Sequence, residues 1–285
     1  MEVRALSWNL FHGRDHPPDP ALMTWRSRLL RATERNRTHV QVNRDLLDEF
    51  AAVLEAADWD VALLQECPPR WAEPLAAATG SAAHRALTSR NSLAPLRALV
   101  ARINPDLVAS NEGGSNLTLV RGRITDRTEL ELAAGPRPER RVMALTRAVP
   151  ERAGTPVRVA NLHASAGPAL RSAAEREVLA AAERAGAWAA GEPLIFGGDL
   201  NLRPRDSGVY AELEERFGLR GPTATGALDH LLVRGLDPLT PPHQWPPERR
   251  EVTAAGLAIR LSDHAPVEAS FAVPATARGP GATAK

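Results

Sequence analysis

The stretch LIFGGDLN, Leu194 to Asn201, runs from three large apolar residues into two glycines, an acid and an amide. Consecutive apolar residues without a polar one between them read as a strand buried on both faces, and Gly197-Gly198-Asp199 marks its end. Upstream, the Ala-rich residues 170–190 read as a helix and residues 157–163 as another strand, so the segment is one strand–helix–strand unit. An earlier copy has the same order. Residues 3–9 form a short buried strand ending at Asn9. Apolar positions Leu46, Leu47, Phe50, Val53 and Leu54 then recur at helical spacing, and residues 61–64 form a second strand that ends in Gln65-Glu66. Superposing VRALSWN on VRVANLH sets Asn9 opposite His163, and the following strands deliver Glu66 and Asp199 at their C-terminal ends. The first unit is longer by 21 residues, and the excess falls in an Arg-rich insert, residues 14–44, expected to be an added helix or lid.

Between the two units, residues 116–120, 129–132 and 141–149 read as antiparallel strands, and strand character resumes at 228–233 and 266–273. A sheet-rich α/β layered architecture follows. No Pro/Ser linker divides the interior, and the polar strand ends come from both halves, so a single domain is expected over 1–273, with a frayed tail over 274–285. At 285 residues the chain can bury a core that needs neither disulfides nor structural metal, so any metal is functional. Hydrophobic residues at 44% and charged residues at 24% exclude collagen, wholesale disorder and a coiled coil. The net charge of +1 implies no partner by itself, although every basic residue except Lys285 is Arg, the better bidentate donor to phosphate. Cys67 is the single cysteine, which excludes an intramolecular disulfide and a cysteine zinc site. The N-terminus MEVRALSWNL lacks a basic-then-apolar leader, and no apolar run reaches the roughly 18 residues of a membrane span. The expectation is a cytoplasmic protein, monomeric, without a membrane span.

At or just beyond the ends of the predicted strands stand Asn9, Glu66, Asn116, His163, Asp199, Asn201, Asp229, Asp263 and His264. Open α/β sheets place ligands there. Any one of these residues alone reads as a turn or helix cap. Together, four acids, three amides and two histidines make an oxygen-rich pocket suited to Mg²⁺ or Mn²⁺ and lacking the thiolates that favour zinc. The chemistry this implies is phosphate ester hydrolysis. Nearby residues carry plainer readings. His230 follows Asp229 directly, and adjacent strand residues face opposite ways, so His230 is structural. His12 stands open between the site and a solvated loop, and Arg121 reads as a surface residue at a strand end. Arg26, Arg28, Arg31, Arg35 and Arg37 read first as a solvated helix face, with a grip on a nucleic-acid backbone as the alternative. A phosphate-cradling cysteine loop would end in Arg six positions after Cys67, where Glu73 stands, so Cys67 is filler. Walker-type, dinucleotide and HExxH motifs are absent.

The motifs WNLFHG, LLQEC, SNLTLVRGRI, NLHAS, GGDLN, LDHLLV and SDHAPV, in this order from Trp8 to Val267, resemble the endonuclease/exonuclease/phosphatase family. The resemblance implies a four-layered α/β sandwich, two packed mixed β-sheets flanked by helices. It further implies Glu66 as the principal metal ligand with Asn9 and Asp263 beside it, and Asp199 as the residue that orients or deprotonates the attacking water. Asn201 would donate to a phosphate oxygen. Asp229 would fix His264, which acts as general base or as a cation on the scissile phosphate. His163 would serve a non-bridging oxygen or the leaving group, with Asn116 orienting it or touching phosphate. Whether Asp199 or His264 is the base stays open. The abasic-site endonuclease branch has an acid where Phe11 stands and a Tyr in place of His163, which leans this chain toward the deoxyribonuclease I, sphingomyelinase and inositol-phosphatase side. The implied substrate is a phosphodiester, DNA or RNA first. A small or lipid-derived phosphate is the alternative, and a non-catalytic binding module on the same fold comes last. Aromatics at 4% leave Trp8, Trp25 and Trp71 as candidates to line a cleft.

Overall fold

The computed structural model describes residues 1–89, 93–112, 114–133 and 140–274. The tail expected after residue 274 lies outside the described residues. Strand β1 (Glu2–Asn9) is buried on both faces, as its apolar composition demands. After it come the short helix α1 (Trp25–Leu30), the two-residue strands β2 (Glu34–Arg35) and β3 (Val40–Gln41), helix α2 (Leu47–Ala56) and strand β4 (Val61–Cys67). Helix α3 (Ala72–Thr79), strand β5 (Ala82–Leu87) and helices α4 (Ala94–Ile103) and α5 (Pro105–Glu112) lead to β6 (Ser115–Val120), β7 (Gly122–Ala133), β8 (Arg141–Pro150) and β9 (Val157–His163). Helix α6 (Arg171–Ala189), strand β10 (Leu194–Asp199), helix α7 (Val209–Phe217) and strands β11 (Asp229–Arg234), β12 (Asp237–Gln244), β13 (Glu251–Ala254), β14 (Leu257–Arg260) and β15 (Val267–Ala272) complete the chain.

Both strand–helix–strand units form as read. Strands β1 and β4 are parallel with Asn9 beside Gln65, and β9 and β10 are parallel with His163 beside Asp199. The first unit belongs to a six-stranded mixed sheet ordered β12-β15-β1-β4-β6-β5, the second to a five-stranded mixed sheet ordered β11-β10-β9-β8-β7. Period-two alternation sorts side chains between two layers. Val3, Ala5, Val61 and Leu63 meet Val157, Val159, Ile195 and Leu231 between the sheets. Leu6, Trp8 and Leu64 face outward onto Phe50 and Leu54 of α2 and Leu75 of α3. On the other side, Leu162, Phe196 and Leu232 face α6, whose inner stripe is mostly alanine and lets the helix lie close, and Leu213 of α7. The result is the four-layered α/β sandwich. Phe50 packs between the rings of Trp8 and Trp71, with centroids 4.9 and 5.4 Å away, and truncating it to Ala would cost roughly 3–5 kcal/mol.

Several elements are not visible in the sequence pattern. The stretch DPLTPPHQ of β12 holds three prolines and still forms a strand, because it lies at the sheet edge, where a missing N–H breaks no ladder. The insert, residues 14–44, contributes the short helix α1 together with the β2–β3 pair, which the expectation of an added helix did not include. It is tied down by polar side chains. The buried carboxylate of Asp15 accepts from Val42 N at 3.1 Å and Gln41 Nε2 at 3.4 Å, and the Asn43 amide donates to Ser27 O and to Asn104 Oδ1. Burial pushes the Asp15 carboxyl up to about 7. Among the described residues no helix is long and apolar enough to cross a membrane.

Candidate active site

Every polar strand end named above lies at one edge of the sandwich, and local backbone devices aim the side chains. The parallel β1 and β4 of one sheet and β9 and β10 of the other end together, and the Asn9 amide bridges the sheets by donating to Asp199 Oδ2 at 2.9 Å. Below it, Gln65 Nε2 donates to Asn161 Oδ1 at 2.8 Å across the sheet interface. The β4–β6 ladder slips by one residue between Leu64 and Cys67, a bulge that turns Glu66 out of the strand with φ 47°. Phe11, His12, Asn201 and Ser262 also hold positive φ, so five of the nine such non-glycine residues among those described surround this site. L-residues pay about 1–2 kcal/mol for that conformation, which concentrates strain where geometry matters for chemistry. Gly198 explains the glycines of GGDLN: its φ is +128°, and a Cβ there would lie 2.0 Å from Leu162 O, so only glycine lets β10 run this close to β9.

Asp199 is the centre of the cluster. It is 1% exposed, its Oδ1 accepts from Asn201 N at 3.0 Å, and its Oδ2 faces His163 Nε2 at 3.6 Å and His264 Nε2 at 3.8 Å. Burial, reinforced by the Asp229 carboxylate, pushes the Asp199 carboxyl above the usual carboxylate range. His264 Nδ1 lies 2.7 Å from Asp229 Oδ2. Burial alone would discharge this ring, yet the carboxylates of Asp229, Asp199 and Asp263 hold His264 up at about 11. Its loop, Ser262-Asp263-His264, is pinned twice: Ser262 Oγ donates to Asn9 O at 2.6 Å and accepts from His264 N at 3.0 Å, and Trp8 Nε1 donates to His264 O at 3.1 Å. Glu66 meets His12 Nε2 at 3.1 Å and His163 Nε2 at 3.7 Å. Burial opposes its ionisation, but His12, His163 and the Asn9 amide bring its carboxyl down to about 2.

The structure thus brings together Asn9, Glu66, His163, Asp199, Asn201, Asp229 and His264. Asn201 donates its side-chain amide to Ala164 O at 3.1 Å, which orients it from the strand end. Asn116 is fully buried between the sheets, donating to Val142 O at 2.7 Å, while its Oδ1 has no hydrogen-bond partner. Asp263 is exposed at the rim and makes a 3.5 Å contact with Ser262 Oγ, and it has no hydrogen bond to Asn9 or Glu66. His12, left open by the sequence, joins the site because the turn Phe11–Gly13 swings it onto Glu66. Ser262 was missed, although its place before Asp263-His264 was the available signal. His230 is structural: its Nδ1 accepts from Thr223 N at 3.1 Å and its Nε2 faces Leu202 O at 3.1 Å. Arg121 is a clamp that donates to the carbonyls of Leu54, Glu55, Ala57 and Trp59 around the end of α2.

The donor set fits a hard divalent cation. Glu66 stays ionised over the whole neutral range, Asn9 stands beside it, and no thiolate competes. Asp199, Asp229 and His264 also offer ligand atoms within 4.8 Å of one another. There, however, a ring held protonated already supplies the positive charge, which leaves the oxygen donors around Glu66 as the better cation site. The 3.6–3.8 Å gaps from Asp199 to His163 and His264 exceed hydrogen-bond length, so both Nε2 atoms can serve an oxygen placed between them.

Comparison with known proteins bears on the fold and the family of the chain. The model of the endonuclease/exonuclease/phosphatase family matches residues 6–264. A mannosyl-6-phosphatase of Bacteroides thetaiotaomicron superposes with a TM-score of 0.63 at 14% identity, covering 95% of this chain and 99% of that one. An endonuclease/exonuclease/phosphatase of Beutenbergia cavernae gives 0.63 at 18% identity, covering 95% and 72%. TDP2 of Caenorhabditis elegans gives 0.59 at 17% identity, covering 95% and 74%. No curated protein matches the chain. At these identities the solved structures speak for the fold, and the match over nearly the whole sequence speaks for descent: the chain belongs to the endonuclease/exonuclease/phosphatase family.

Proposed function

We propose that this chain is a Mg²⁺- or Mn²⁺-dependent phosphodiester hydrolase that works by in-line attack of an activated water. The observation that carries the reading is the buried Asp199 carboxylate, fixed by Asn9 and Asn201 N and faced by His163 and His264. A carboxyl raised by burial and held in one orientation suits a group that must position a water and take its proton. His264, charged and braced by Asp229, is then placed to stabilise negative charge on the phosphate, which assigns the base role to Asp199. His163, 3.6 Å from Asp199, and the Asn201 amide, through its second N–H, serve the remaining phosphate oxygens or the leaving group. Asn116 acts from behind, fixing the strand ends through Val142. Glu66 and Asn9, with Asp263 at the rim, would hold the cation, which when bound supplies a Lewis acid to the phosphoryl oxygens.

Nucleic acid is the first diester to test, because Arg26, Arg28, Arg31, Arg35 and Arg37 are all exposed along the insert beside the site. A lipid-derived or small phosphate is the second reading, favoured by the exposed apolar side chains among those same arginines. The test is hydrolysis of bis-p-nitrophenyl phosphate, p-nitrophenyl phosphate and supercoiled plasmid with Mg²⁺, Mn²⁺ or EDTA, with Asp199→Ala as control. Metal-dependent nicking lost in the variant supports the nuclease. Ester cleavage without nicking supports the small or lipid phosphate. No metal-dependent cleavage of any of the three removes the proposal.

A further inference from the structure

Of the twelve large apolar side chains exposed among the described residues, nine fall within residues 23–30 and 93–107. Trp25, Leu29 and Leu30 are 65%, 53% and 65% exposed on α1, and Leu96, Leu99 and Ile103 are 57%, 55% and 54% exposed on α4. On α4 the three stand at i, i+3 and i+7, which is one stripe, and that stripe points outward while Ala101 faces the protein. Single exposed leucines are ordinary, but a concentration of this kind marks a binding surface. The two helices are neighbours. Asn104, next to Ile103, accepts from Asn43 Nδ2 at 2.8 Å and donates to Arg28 O at 3.2 Å, next to Leu29.

The charge around these side chains narrows the partner. Residues 23–37 and 93–108 hold seven arginines against two acids, in a chain whose net charge is only +1. A symmetric second copy would bring the arginines of both subunits together. Leucine and isoleucine offer a nucleic acid no stacking surface, and on these two helices Trp25 alone does. A bilayer with acidic headgroups satisfies both features at once, since leucines enter the acyl boundary while arginine stems snorkel to lipid phosphates.

We therefore propose that the α1/α4 face docks on an anionic lipid bilayer. The catalytic edge would then open toward the headgroups. Helix α5 packs against the Phe11–Gly13 turn that carries His12 to Glu66. Between α1 and α5 lies a cleft of about 490 Å³, lined by Trp25, Arg28 and Leu107 on the docking side and by Phe11 and Arg14 on the site side. Docking does not depend on which ester is cleaved, although it would present phosphodiester headgroups to the site and so deepens the second reading above.

The experiment is co-sedimentation of the full chain, metal-free and with Mg²⁺, with vesicles of phosphatidylcholine alone or with about 30% phosphatidylglycerol. Hydrolysis of bis-p-nitrophenyl phosphate is run in parallel. Binding to the anionic vesicles is expected, weakened at least about tenfold by Leu96→Glu/Leu99→Glu, with ester hydrolysis by that double variant unchanged. Arg26→Ala/Arg31→Ala should weaken binding as well and flatten its salt dependence. Absence of binding to anionic vesicles, or binding indifferent to the leucine substitutions, overturns the proposal. So does a dimer seen by analytical ultracentrifugation that the leucine substitutions dissolve, or tight binding of duplex DNA that they abolish. Because the vesicle arm needs no turnover, it can fail while the hydrolase reading stands, and the reverse.

Discussion

Replacing Asp229 by Asn isolates the interaction on which the role of His264 rests. His264 Nδ1 is 2.7 Å from Asp229 Oδ2, in a place where burial works against a charged ring, and the surrounding carboxylates nonetheless hold it at about 11. A charge-assisted hydrogen bond of this length is worth roughly 1.5–3 kcal/mol, and one pKa unit corresponds to about 1.36 kcal/mol. The amide should therefore lower His264 by about one to two units. A histidine whose folded pKa is raised contributes stability that is fully present below about 6.5, and that contribution is lost as pH rises through the folded value. The destabilisation by Asp229→Asn should accordingly be full at neutral pH and fade as pH approaches about 11. NMR titration of the metal-free protein, with the His264 resonance assigned by a His264→Gln variant, reads the ring directly, and urea midpoints at neutral and alkaline pH read the linkage. Turnover should fall by about 10²–10³ with KM little changed, since the group acts on charge that develops in the transition state. A wild-type His264 that titrates near 6.5, or a variant whose titration is unmoved, refutes the reasoning.

Asp199→Ala should lower turnover by about 10²–10⁴ and cost about 1–3 kcal/mol in urea unfolding, because Asn9 Nδ2 and Asn201 N lose their acceptor; near-wild-type turnover would remove Asp199 from the reaction. Glu66→Gln should raise the metal concentration needed for half-maximal activity and be partly restored by excess Mn²⁺, whereas activity lost at unchanged metal dependence would assign Glu66 elsewhere. Gly198→Ala forces a Cβ to 2.0 Å from Leu162 O at φ +128°, so a loss of at least about 3 kcal/mol is expected in urea unfolding, and an unshifted midpoint would contradict the strand geometry. Arg121→Ala removes donors from four carbonyls and a cation stacked 4.2 Å over Trp59, for a partly exposed loss of about 1–2 kcal/mol with kcat unchanged. A kcat effect at constant stability would contradict this purely structural reading of Arg121.

What the sequence by itself determined is what local pattern encodes. Buried strands announce themselves by consecutive apolar residues, the helices between parallel strands by their spacing, and the catalytic edge by polar residues at strand ends. For this reason both strand–helix–strand units, the GGDLN and SDH segments and the candidate polar residues at the strand ends were legible. The tertiary structure alone decided which of those groups meet. Asp229 and His264 are 35 residues apart in sequence, Asn9 and Asp199 are 190 apart, and only the docking of two sheets sets their distances. His12 enters through a pair of left-handed residues at Phe11 and His12, a turn with no glycine at those positions to signal it. β12 escapes detection because proline's cost depends on whether its strand is central or at an edge, a property of the sheet and not of the segment. Helix α4 shows the limit most plainly. Its leucines repeat as a core-facing helix would, and periodicity identifies a stripe, but which side of that stripe meets protein and which meets solvent is settled by what the rest of the chain leaves uncovered.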